Sequence, residues 1–131
     1  MSTAVRQDHD TGPASIEAMR ETAALLLGPD DGPDAPPPVA AELDALAAML
    51  RGHLALLIPE VEVKAGRLPR DSVRRYCALA CVEEANRKLR VGDGCTPAVR
   101  VAVARKLARC LNALCRHYEV LDSQVPAGEQ P

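Results

Sequence analysis

Five leucines, Leu43, Leu46, Leu50, Leu54 and Leu57, follow one another at intervals of three, four, four and three. That spacing returns to one side of a helix on every turn, and it predicts a long helix with a single apolar seam facing a helical neighbour. Pro59 interrupts the run. Continued at about 100° per residue, Val61, Ala65 and Leu68 still fall on the seam, while Pro59 points away from it. The expectation is therefore one kinked helix from near Pro38 to about residue 65, with the backbone bond that proline forfeits lying on the solvent side, and a clean stop at Ile58 as the alternative.

The rest of the chain favours the same class. Its 131 residues make room for one core, and with only Tyr76 and Tyr118 as aromatics that core must be built from aliphatic side chains and cysteine. Ala and Leu are strong helix formers, and no stretch alternates with the period of a strand. Ser15 can cap a short helix, SIEAMRETAALLLG, that ends at Gly28 before Pro29. On it Ile16, Met19, Ala23 and Leu26 share one side. GPDDGPDAPPP (28–38) is too rich in proline and glycine to be helical. GRLPRD (66–71) reads as a turn, with Asp71 as N-cap of a third helix that runs to about Val91. GDGCTP (92–97) reads as a second turn, with Gly92 closing one helix, Thr96 capping the next and Pro97 at its first position. The fourth helix then runs to about Leu121. The expected fold is an all-α antiparallel bundle of three long helices (39–121) plus the short N-terminal helix (15–27). Residues 1–14 and 122–131 are expected to be disordered, and 28–38 to be a linker.

No secretory signal opens the chain, and no run approaches the ~18 apolar residues of a membrane span. Five cysteines, an odd number, argue against a disulfide framework and for a reducing cytoplasm. Residues 1–68 carry a net charge of −6, residues 69–118 one of +7, and the tail −3. Mutual attraction of the two halves is the simpler reading of that split. A basic face for an anionic partner is the other.

Three candidate chemistries remain. Cys77 and Cys81, about 40° apart on a helix, could form a chelating pair with Cys110 from the next helix. Cys110, however, lies within the apolar face formed by Val103, Leu107, Leu111, Leu114, Tyr118 and Leu121. Cys115 is about 140° from Cys110, on the flank, and His117 is about 10 Å along the axis. The spacings fit no common zinc module, so core packing is the preferred reading of the thiols, with no metal or cofactor expected. Arg105, Arg109 and Arg116 share the polar side of the fourth helix and could grip a phosphate backbone. The proportions are not those of a helix-turn-helix, and no aromatics are interleaved for stacking, so a solvated arginine face is preferred. His53 borders the leucine seam and could be a base or a ligand, but is expected instead to hydrogen-bond a neighbouring helix. Glu83 and Glu84 lie at ion-pair spacing from Arg87 and Lys88. No carboxylate pair, phosphate loop or nucleophile elbow is present, and the chain is not expected to be an enzyme.

LRGHLALLIPEVE (50–62), YCALACVEEANRKL (76–89) and RKLARCLNALCRHYE (105–119) resemble a family of small actinobacterial proteins of unknown function, sometimes labelled natural product biosynthesis proteins. The resemblance covers about residues 40–120. It implies an accessory or regulatory role in specialised metabolism and transfers no catalytic residue. The functional expectation is a helical interaction or regulatory module that binds a protein partner or a second copy. Nucleic-acid binding through the arginines is the first alternative, and a thiol or metal protein the second.

Overall fold

The structure is a computed structural model that describes residues 13–28 and 38–123. Four helices make up the fold: α1 (Pro13–Leu27), α2 (Ala40–Gly66), α3 (Val73–Arg90) and α4 (Pro97–Asp122). There is no strand among the described residues, as expected for an all-α chain. Most of the segments expected to be disordered, and nearly all of the expected linker, lie outside the described residues.

The leucine seam forms as its spacing requires. Leu43, Leu46, Leu50, Leu54 and Leu57 are all buried, and Val61 and Ala65 extend the row beyond the proline. Pro59 lies inside the single helix α2 and faces solvent, so water can satisfy the carbonyl left without its intrahelical donor. Thr96 caps α4, its hydroxyl accepting from Val99 N at 3.2 Å, with Pro97 at the first position. One boundary of the long helices differs from expectation. Ser72 rather than Asp71 caps α3, accepting from Arg75 N at 3.1 Å. Gly92 directly follows the C-cap Val91, closing α3 as expected, and it is Gly94 in the same turn that is left-handed (φ 102°), where a Cβ would collide with Val99 Cγ1.

Ion pairs mark the helix directions. Asp44 pairs with Arg100 at the starts of α2 and α4, and Lys64 with Asp122 at their ends (2.8 Å), so these two helices run parallel. Arg20 of α1 reaches Glu119 near the end of α4 (2.8 Å), and Leu26 O near the end of α1 accepts from Arg105 Nε near its start (3.4 Å). α1 is therefore antiparallel to α4. Short turns hold α3 antiparallel to both of its neighbours. α2 packs against all three other helices, as does α4, while α1 and α3 do not touch. The cross-section is a rhombus with α2 and α4 on its short diagonal.

Docking of α1 was left open by the sequence, and the structure resolves it. Ile16, Met19, Ala23, Leu26 and Leu27 are all buried in the common core, so α1 needs no second molecule to cover its apolar side. This also explains Cys115. Its place on the flank of α4 holds for a three-helix bundle, but α1 covers that flank and Cys115 is fully buried. The helix begins at Pro13, two residues before Ser15.

A polar contact reinforces the α1–α2 seam. Buried Thr22 donates its hydroxyl to Ala18 O at 3.1 Å and lies 3.3 Å from His53 Nε2. With the hydroxyl proton engaged, Thr22 accepts from Nε2–H, which makes His53 the inter-helix hydrogen-bonding histidine expected from its position. Burial lowers the His53 pKa below its ordinary 6.5. His117 is lowered as well, by burial and then by Arg116. The folded state thus resists a proton that the unfolded chain accepts. Stability is complete above the unfolded value and falls as pH drops below 6.5 towards the lowered folded values. Urea unfolding followed by circular dichroism should show a falling midpoint from about pH 7 to about pH 5, with a shallower fall in His53→Gln.

The charge-split halves are not joined mainly by their majority charges. Among the described residues, Arg100–Asp44 links a cation of the second half to an acid of the first. Arg51–Asp93 runs the other way, while Arg20–Glu119 and Lys64–Asp122 tie the first half to acids of the tail.

Candidate functional site

The thiols separate by burial. Cys77 is exposed, against the preferred reading of the thiols as core residues, whereas Cys81 packs partly against the core and Cys110 is buried. Cys81 and Cys110 meet where α3 crosses α4. Burial, and then the neighbouring Cys110, push the Cys81 thiol up to about 11, and burial raises Cys110 too. A thiol so raised keeps its proton at neutral pH, the reverse of what a ligand or nucleophile requires. Among the described residues no group of three or more His, Cys, Asp or Glu side chains is placed to hold a metal ion. His117 is half-buried and joins no such group.

The three arginines of the nucleic-acid alternative do not form a uniform face. Arg109 and Arg116 are exposed, but Arg105 is half-buried and its Nε donates to Leu26 O, near the end of α1. Glu84 pairs with Arg87 and with Lys88 (2.7 Å), which hold its carboxyl down to about 2. This is the surface ion-pair cluster that the spacing predicts.

Arg51 has a structural role that the sequence did not reveal. Its guanidinium donates to Leu89 O (3.1 Å) and Val91 O (2.8 Å), and it pairs with Asp93 (2.8 Å). It thereby satisfies carbonyls at the end of α3 and ties the α3–α4 turn to α2.

The surface that stands out is the other side of α2. Ala45, Met49, Gly52, Leu56, Pro59 and Val63 follow at intervals of four, three, four, three and four, and every one is exposed. Leu56 is 63% exposed, Val63 55% and Met49 47%. At 100° per residue these six, with Ala48 and Ala55, fill an arc of about 120° opposite the leucine seam. Charged residues between 45 and 63 (Arg51, Glu60 and Glu62) all lie outside that arc. α2 is thus apolar on two opposite faces, a pattern proper to a helix covered on both sides. The second face carries a clear signal in the sequence, a heptad-like repeat, but Ala, Gly and Pro supply half of it and the leucine seam dominates the same stretch.

Beside this face, between α2 and α3, lies an open groove of about 490 Å³. Glu62, Arg70, Arg75, Tyr76, Leu79 and Glu83 line it, and Tyr76 is 74% exposed. Arg75 is held there by donating Nη1 to Leu68 O at 3.0 Å. The apolar strip on α2 is therefore edged by polar, oppositely charged side chains, the anatomy of a protein-binding patch with a polar rim.

No described helix is long and apolar enough to cross a membrane. No curated protein matches the chain, and no solved structure matches it. A family model described as "Family of unknown function (DUF6415)" matches residues 17–123. That span takes in α1 from Glu17 onward, which the resemblance noted from the sequence left outside, and ends at Ser123, the cap of α4. Four packed helices and the stretch of chain that forms them thus coincide with one family, and the chain belongs to DUF6415, a family of unknown function.

Proposed function

We propose that the chain is a non-enzymatic interaction module that engages a protein through the outward face of α2. The observation that carries this reading is the second apolar face of that helix, with Leu56 at its centre and 63% exposed. Burying such a face removes about 25 cal/mol per Å² of apolar surface from water, and a rim of mixed charge orients what docks. The resemblance to proteins labelled for natural product biosynthesis supports an accessory role in specialised metabolism. Free thiols at all five cysteines support a reducing, cytoplasmic setting.

A photo-reactive amino acid in place of Leu56, in the full chain expressed in its host, tests the reading. A covalent adduct with a protein is expected from position 56 and not from exposed Lys106 on α4. Equal yields at the two positions, or none at 56, would overturn it.

A further inference from the structure

The outward face of α2 is complementary to itself when turned end for end. We propose that a second copy of this chain docks there, the two α2 helices running antiparallel about a two-fold axis near residue 54. The proposal rests on the binding reading above and names the partner.

Its first support is steric. The seam from Ala45 to Val63 is about 27 Å long and has the spacing by which two helices interlock. In the antiparallel register with 45 opposite 63, Ala45 meets Val63, Met49 meets Pro59 and Gly52 meets Leu56. Small faces large at both ends and at the centre. In a parallel pair Leu56 would meet Leu56, and Gly52 would leave a gap against Gly52.

Gly52 supplies a second, separate support. A Cβ on it would meet nothing within 4 Å, and it is not among the glycines of positive φ. Neither crowding nor backbone geometry within the chain calls for glycine in the middle of this helix, where it costs about 1 kcal/mol relative to alanine. A leucine of a second copy, seated over the bare backbone, does call for it.

The third support is charge. Glu42 and Arg67 are both exposed, at opposite ends of α2, and project on the same edge of the seam. Antiparallel pairing sets each Glu42 beside Arg67 of the other copy, twice by symmetry. Parallel pairing would set the charges of the two copies on opposite edges of the seam and leave Glu42 far from Arg67. Such exposed pairs add little affinity but select the orientation.

A seam of one helix per copy sits at the small end of specific interfaces, so dissociation in the micromolar range is expected. Sedimentation velocity of the full chain from about 1 to about 200 μM should show a monomer–dimer equilibrium. Leu56→Glu should weaken it at least about tenfold without altering helicity, since Leu56 takes no part in the core. Glu42→Arg and Arg67→Glu should each weaken it severalfold, and the two together should restore it. A chain that stays monomeric throughout, a dimer indifferent to Leu56→Glu, or a double swap that fails to restore pairing would each overturn the proposal. Monomers in sedimentation together with adducts from position 56 to a different protein would overturn the pairing and leave the binding reading standing. Monomers with no adduct would remove both.

Discussion

Leu54→Ala is expected to cost about 3 kcal/mol and to lower the thermal midpoint by about 15 °C. Leu54 is fully buried in the middle of the leucine seam, and Leu107, Leu111 and Leu114, fully buried on α4, belong to the same core. α2 packs against all three other helices, so no single neighbour can shift inward to refill the space without losing its contacts elsewhere. The penalty should therefore include a term for the persisting cavity as well as the lost transfer of the leucine side chain. Urea unfolding would show the midpoint falling with little change of slope. Leu56→Ala, two residues along and outward, should change stability by no more than about 0.5 kcal/mol at concentrations where the chain is monomeric. Equal losses from the two substitutions would contradict the assignment of inner and outer faces.

Ala23→Asp is expected to release α1 and expose Cys115. Ala23 is fully buried among Met19, Leu26 and Leu27, and a carboxylate placed there would lose its hydration. Undocking α1 is the cheapest relief, because α1 touches only α2 and α4. Cys115 reports the event. In the intact bundle burial pushes its thiol up to about 11, against an ordinary 9.0, and removes it from solvent. Restoring the ordinary value alone raises the thiolate fraction roughly a hundredfold at mildly alkaline pH, before any gain in access. Labelling with a disulfide reagent, followed by peptide mapping, should show Cys115 reacting at a rate near that of exposed Cys95. Cys110, covered from the α3 side, should remain slow. Unchanged Cys115 reactivity would mean that α1 stays docked around the charge.

The two substitutions mark where the sequence was informative. The leucine spacing, the Thr96–Pro97 start of α4 and the outward placement of Pro59 follow from local rules, because each depends on residues within one or two turns. Docking of α1 does not, since its face meets α4 some ninety residues away, across a proline-rich stretch that conceals direction. Placing Cys115 on a flank was the consequence: a helical wheel shows what a residue faces only when every neighbour is known. Arg51 escaped notice for a similar reason, as its partners, the carbonyls at the end of α3 and Asp93, are about forty residues downstream. The cap at Ser72 instead of Asp71 is a one-residue choice between two competent side chains. As for the candidate site, its spacing was present in the sequence, but exposure was not, and exposure is what turns a row of Ala, Gly, Leu and Val into a surface.

The rhombic arrangement has an energetic consequence. α1 and α3 occupy opposite corners and share no contact, so a substitution in one can influence the other only by displacing α2 or α4. Between those corners the energy surface is close to separable: perturbations in α1 and α3 should sum within a few tenths of a kcal/mol. Changes on the α2–α4 diagonal should couple to both. The chain can thus tolerate drift in its corner helices independently, while the diagonal constrains them all.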